Sequence, residues 1–402
     1  MEFKFLNIIY LLIFLLINTN VSFAKESNTK TETKSNNKTE GVYKLANSID
    51  GLKMEDWYPI LKDYTAETFF MDIKLEEIES MISLYRTFRK KKNTFDELDA
   101  KILRNMEDRL NTRLQEIGFE GFFIKLPIRS CKEGIPSKTA EIEKMNEEMT
   151  NDLRNSYKPE VWGKELSPQD LDDNFKLHAL MTTAFKALKC RNAEDAINLL
   201  TSSFLAFQDM VIHTQIYIPE NKTGKELKYT FAIRSFENRL RLEREFRCFV
   251  KNGRMVGISQ FYYLFIIQEY QYPERVAEIK EKLVTFHDKF IKPLMTHMEE
   301  YVIDLVLFDD GTVNVIEPNP YHLSDGRLIK VDDEKDQEIL AGKVEETVIR
   351  VTKTVPSDLH EIVVAFEQKL VKMNSHRVSY DFIKELAPDN TICYNISFPD
   401  LL

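Results

Sequence analysis

The sequence predicts an α+β fold in which mostly antiparallel sheet is flanked by helices and divided between two lobes. Three observations carry that prediction. Strand-like runs at 228–236, 245–253 and 254–266 follow one another with no helical period between them. Two dipeptides of the hairpin type, Asn252-Gly253 and Asp310-Gly311, join neighbouring runs directly, which requires antiparallel pairing. Apolar stripes at helical spacing lie before and after these runs instead of alternating with each of them.

The elements follow in order. Residues 1–24 open with a lysine in "MEFKF", run through "LNIIYLLIFLLI" and end on small residues at Ser22 and Ala24. That is the build of a secretory signal peptide cleaved after Ala24. The competing reading is an uncleaved anchor, although the run falls short of the ~20 apolar residues that spanning needs. A secretory, periplasmic or extracellular location is expected, with no membrane attachment after cleavage. Residues 25–48 are polar and aperiodic, as a disordered linker is. Asn37, Asn221 and Asn395 begin glycosylation sequons, meaningful only in a eukaryotic secretory pathway.

Residues 65–118 read as helices, with Thr94 and Glu97 as a capping box and the basic stretch Arg89–Lys92 as a solvated helix end. "GFFIKLPI" (121–128) reads as a strand. Residues 135–170, charged and holding Pro136, Pro159 and Pro168, read as a surface helix or loop. A helix is expected over 171–204. Pro273 starts another, whose Val276, Ile279, Leu283, Phe286 and Phe290 form one apolar stripe. Helix signals recur at 335–352 and 378–386, within a C-terminal helical extension over 331–402.

The 402 residues are 43% hydrophobic and 30% charged, ordinary for one large or two smaller globular domains. A net charge of −10 argues against nucleic-acid binding, which wants a basic surface. There is no phosphate loop of the GxxxxGK[ST] type, no GxGxxG, no GxSxG and no HExxH, so the corresponding nucleotide, hydrolase and zinc chemistries lack support. Cys131, Cys190, Cys248 and Cys393 are scattered and form neither a zinc site nor a disulfide framework.

The chemistry concentrates in "YVIDLVLFDDGTVNVIEPNP" (301–320). With Asp310 and Gly311 at the turn, Phe308 faces Val313 and Asp304 faces Glu317. Alternation puts Asn319 on the face of Glu317. At the ~5 Å of a cross-strand pair, two ionised carboxylates repel by roughly 3 kcal/mol at an effective dielectric of 20. A shared proton, a basic side chain or a bound cation must offset this. Two carboxylates and an amide oxygen suit Mg²⁺ held together with phosphates. An edge hairpin whose acids face solvent is the competing reading. His322, the one histidine near this cluster, reads as a surface or supporting residue. Exchanging both acids for amides should relieve repulsion and leave the fold intact or stabilised. Lys125, Arg129 and Lys132 around one strand, and Arg234 and Arg247 on others, with Glu245 on the same strand face as Arg247, supply the cations that a triphosphate needs; singly, each base is also an ordinary surface residue.

At these residues the sequence resembles the cell division cycle protein 123 family, which has an atypical ATP-grasp fold. "EFRCFVKNGRMVGISQ" (245–260) carries the most specific likeness. "VIDLVLFDDGTVNVIEPNP" (302–320) resembles the family's closing hairpin, and "FIKLPIRSCKEG" (123–134) its first nucleotide-contact segment. The resemblance implies a two-lobed ATP-grasp-like nucleotide-binding region over 49–330. It implies that Lys125, Ile128, Ser130 and Lys132 contact ATP, that Arg234, Ser235 and Glu237 form the segment joining the lobes, that Glu245 and Arg247 approach from the next strand, and that Asp304, Glu317 and Asn319 hold Mg²⁺. The chain departs from the pattern at Glu317, usually Asp, at Cys131, usually Pro, and at Ile128, often Trp. Phe261 stands where "SQRD" would place an arginine, and one residue is inserted between Arg234 and Glu245.

The expected function is that of an Mg-ATP-binding protein, a ligase or phosphoryl-transfer enzyme acting outside the producing cytosol. The alternative is an ATP-dependent binding or assembly module without turnover. The resemblance then implies the gamma subunit of translation initiation factor 2 as partner, a cytosolic protein at odds with the leader. An exported member acting on a host target would join the two readings.

Overall fold

The computed structural model describes residues 52–88, 95–127, 129–134, 139–157, 166–214 and 229–375. The leader, the linker, all three sequons, Thr94, Ile128, the helix expected at 378–386 and Cys393 lie outside them. The described residues form two compact units, one within 1–66, 158–167 and 239–357, the other within 67–157, 168–238 and 358–402. The architecture is α+β, as expected, with each unit built on its own sheet.

The second of these units holds three antiparallel strands, β1 (Thr68–Asp72), β2 (Phe122–Lys125) and β3 (Thr230–Ser235), in the order β1-β3-β2. Phe122, Ile124, Phe231 and Ile233 line the core face. Against them pack the helices Leu75–Phe88, Glu97–Ile117, Ala193–Ser202 and Phe204–Ile212, through side chains such as Met81, Met106, Leu110, Leu199 and Met210. β1 lies inside the stretch expected to be all helix. Its Thr-Phe-Phe-Met favours a strand, but five residues without clean alternation give no period to read. The helix Glu97–Ile117 is capped by Asp96 and Asp99, each side chain accepting from the other's backbone N–H at 3.0 and 3.3 Å. Glu97 is therefore the first helical residue and not the third, as the Thr94 cap required. The expected helix over 171–204 is three helices, Pro168–Lys186, Ala193–Ser202 and Phe204–Ile212. Cys190 breaks the run by exchanging both backbone hydrogen bonds with Phe122, at 2.8 and 2.9 Å. Asn192 and Ser203 then cap the second and third of these helices. Residues 139–155 form a helix, and Leu359–Ser375 packs on Pro168–Lys186.

The other unit carries β4 (Glu245–Lys251), β5 (Arg254–Gln260), β6 (Glu300–Leu307), β7 (Val313–Asn319) and β8 (Val348–Arg350), in the order β7-β6-β4-β5-β8. All pairs are antiparallel except β5 with β8. Asn252 and Gly253, at φ 51° and 66°, form the expected two-residue turn. Residues 335–352, expected as helix, are the helix Glu334–Leu340 and then β8, whose Val-Ile-Arg aligns beside Gly257–Ser259.

The hairpin β6–β7 differs in detail from expectation. Its loop has three residues, Asp309 to Gly311, closed by Phe308 N–H to Thr312 O at 2.8 Å, with Gly311 left-handed at φ 84°. Leu307, not Phe308, thus pairs with Val313. An irregularity between Asp304 and Leu305 inserts Ile316 on the opposite strand and shifts the register by one, so Asp304 still pairs with Glu317. Two offsets cancel at the acids.

Pro273 occupies the first turn of its helix, Pro273–Phe286, and Ile279, Leu283 and Phe286 are buried. A π-turn, 287–291, continues it and turns His287 inward, where Nδ1 meets Asp288 at 2.9 Å and Nε2 meets the Tyr301 hydroxyl at 3.0 Å. Burial holds the His287 pKa below its ordinary value despite the raising influence of Asp288. The folded state therefore takes up this proton later than the unfolded chain does. Stability is full above about pH 6.5 and declines as pH falls toward the lowered value. Chemical unfolding of His287→Gln across that window is expected to show a flatter acid limb than the parent.

Candidate functional site

Pairing across the five-stranded sheet sets one polar row. Arg350 of β8 lies beside Ser259 of β5, Ser259 opposite Arg247 of β4, Arg247 opposite Asp304 of β6, and Asp304 opposite Glu317 of β7. Cross-strand partners point to the same face, so five strands present one line of polar side chains.

The centre of the line answers what offsets the paired acids. Arg247 donates Nε–H to Asp304 Oδ1 and Nη2–H to Oδ2, both at 2.8 Å, a bidentate fork between two fully buried side chains. Its remaining nitrogen, Nη1, donates to Asp325 O at 3.1 Å. Asn319 Nδ2 donates to Asp304 Oδ2 at 3.0 Å, placing the third expected ligand on the expected face. Burial pulls the Arg247 pKa down, but Asp304 first, and then Asp325 and Glu317, raise it, and the net shift is upward. The offsetting charge is thus a basic side chain of the same sheet. This corrects the expectation that amides at both acids would spare the fold: Asp304 is the counter-ion of a buried guanidinium.

The donor chemistry fits a hard divalent cation. Asp304 and Glu317 provide carboxylates, and Asn319 an amide oxygen once its side chain is turned over. Asp304 Oδ1 keeps a lone pair beyond the guanidinium fork, and Oδ2 regains one when Asn319 turns over. These three residues would hold Mg²⁺ beside the Arg247 charge. Glu245 is buried on the same face of β4, two residues from Arg247. His322 is exposed and meets Glu300 at 3.3 Å, a surface role.

Next to the row, a loop without any expected site residue delivers a second arginine. Arg327 is buried at a positive φ of 57°, a conformation that side-chain-bearing residues adopt at a cost. Its backbone N–H donates to Asp325 Oδ1 at 2.8 Å and its Nη1 lies 3.1 Å from Asp325 Oδ2. Leu328 N–H donates to Ser259 Oγ at 2.9 Å. Arg350 Nη1 donates to Leu328 O at 3.1 Å and to Asp336 at 2.6 Å. The signal available in sequence was "SDGR", a turn tetrapeptide ending in a base.

In the three-stranded unit, Lys125 is buried and pairs with Ala232, and Phe123 pairs with Arg234. Lys125 and Arg234 therefore share the face opposite the core, while Ser235, one residue on, points to the other side. Lys125 also bridges Ser130 across a tight turn closed by Leu126 N–H to Arg129 O at 3.0 Å. Among the described residues the Ser130 hydroxyl oxygen is buried with no hydrogen-bond partner. Lys132 and Glu237 are partly exposed. Glu133 accepts from Ser203 Oγ and Leu205 N–H, both at 2.6 Å, and so anchors the segment to a helix start. Cys131, Cys190 and Cys248 are buried free thiols whose pKa values are raised by burial. Among the described residues no helix is long and apolar enough to cross a membrane.

Known proteins share parts of this chain. The family model described as D123 matches residues 178–383. The chain is 28% identical over 182 residues to a translation initiation factor eIF2 assembly protein of Dictyostelium discoideum, covering 44% of each chain. It is 29% identical over 155 residues to a protein of the same name from Xenopus tropicalis, covering 37% of this chain and 43% of that one. The matches thus span less than half the length of these relatives. Among solved structures, Cdc123 from Schizosaccharomyces pombe aligns with a TM-score of 0.49 at 15% identity, over 81% of this chain and 100% of that one.

Proposed function

The chain belongs to the D123 family, and from that premise we propose that it is an ATP-dependent binding and assembly module acting on the translation initiation factor eIF2, through the gamma subunit. The observation that carries this reading is that the family match spans β4, β5 and the β6–β7 hairpin, the elements that build the polar row. Relatives of the chain are named as translation initiation factor eIF2 assembly proteins. A ligase or phosphotransferase has no counterpart among those names.

In this proposal Mg-ATP is the ligand. Asp304, Glu317 and Asn319 hold Mg²⁺, and the Arg247 fork orients Asp304. On the five-stranded unit Glu245 is the further candidate for a nucleotide contact. Mg²⁺ would screen the phosphate charges, and the protein groups bind and orient. Export after Ala24 belongs to the proposal too, in which case the factor acted upon is that of another cell.

Immobilised eIF2 gamma subunit is expected to retain the purified chain in the presence of Mg-ATP and to release it when EDTA is added. Nucleotide analysis of the same mixture should recover ATP intact. Steady formation of ADP or AMP without any retention would replace this reading with the enzyme.

A further inference from the structure

Two guanidinium groups share one aromatic ring at the end of β5. Arg327 lies 4.1 Å and Arg247 4.9 Å from the centroid of Phe261, both within cation–π range. Arg247 is already engaged, since Asp304 takes its fork and Asp325 O its third nitrogen. Arg327 is differently placed. Its ion pair is with Asp325, two residues back in its own turn, which any arginine on an exposed loop could form without being buried. Yet the turn is bolted to the sheet at several points, to Ser259, to Arg247 and to Arg350. It also holds Arg327 in the left-handed region.

We infer that Arg327 is a phosphoryl-binding residue of the nucleotide site, its guanidinium plane held on the Phe261 ring beside Arg247. The inference rests on the nucleotide reading under Proposed function and names the group that would meet the polyphosphate on the five-stranded unit. Three physical arguments support it. Like charges buried side by side repel, and an arriving polyanion relieves that repulsion. Stacking fixes the plane of the fork, so the donors need little ordering when an oxyanion arrives. The acids one strand away favour a divalent cation, and a metal-bound polyphosphate presents both charges that such a cluster matches. Burial, and next the charge of Arg247, depress the Arg327 pKa. Asp325 and Asp304 act in the opposite sense, and the group remains protonated. The side chain has no solvent exposure, so binding must displace what closes over it.

Calorimetry of the full chain with Mg-ATP, inorganic tripolyphosphate with Mg²⁺, and adenosine tests this. Arg327→Met is expected to weaken the first two by roughly ten- to a hundred-fold, the size of a lost charged hydrogen bond, and to leave adenosine unchanged. Parent binding with an Arg327→Met variant that is folded and within two-fold of it would overturn the inference and leave the nucleotide reading standing. If the parent binds neither Mg-ATP nor tripolyphosphate, both fall. Should Arg327→Met fail to fold, Arg327→Lys keeps the charge without the planar fork. A loss of at least five-fold is then expected, and unchanged affinity overturns the proposal.

Discussion

Asp304→Asn is expected to lower the free energy of unfolding by about 3–5 kcal/mol, the cost of stranding one member of a buried ion pair. The amide would leave Arg247 charged in a place without water, since both side chains are essentially unexposed. It would also present an N–H₂ group to one nitrogen of a fork that has only donors. Arg247→Met alone should cost a similar amount, because the Asp304 carboxylate then faces Glu317 without a counter-charge. The informative measurement is a double-mutant cycle by urea denaturation. Arg247→Met with Asp304→Leu replaces the pair by apolar groups and should be far milder than the sum of the singles. Near-additive losses would mean that the fork contributes little. Glu317→Gln, at a partly exposed position, should cost less than about 1 kcal/mol, so the two acids of the pair are energetically unequal.

Gly326→Ala should be nearly as damaging, for a steric reason. A Cβ at this position would sit 1.7 Å from the carbonyl oxygen of Ile329, and because the atoms it meets are backbone no side chain can move aside cheaply. The turn closed by Ile329 N–H to Gly326 O at 2.9 Å must open. Opening it shifts Arg327 off Phe261 and disturbs Leu328 on Ser259. Overpacking of this kind costs about 3 kcal/mol. Thermal unfolding should show a lowered midpoint, and Mg-tripolyphosphate binding should weaken together with it. A variant with parental stability would show that the turn adapts more easily than its contacts indicate.

The contrast between these two sites reflects what can be read without coordinates. Asn252-Gly253 announced its turn because two consecutive positive φ values need those residue types. Asp304 was placed opposite Glu317 correctly, although through a three-residue loop and a bulge that compensate each other. The capping pair Asp96–Asp99 was misassigned because Thr94 and Glu97 carry the same local pattern. β1 was missed because a five-residue strand is held by β3, far along the chain, and not by its own period.

Local turn chemistry, side-chain alternation and the family likeness, all written within a few neighbouring residues, determined the antiparallel hairpins, the acid pair and the α+β class. Only the tertiary structure decided that Arg247 is the partner of Asp304, 57 residues away, and that Arg327 stacks beside it. Sheet order chooses which strands become neighbours, and that order minimises the exposed apolar surface of a whole unit, a quantity no short stretch of sequence contains.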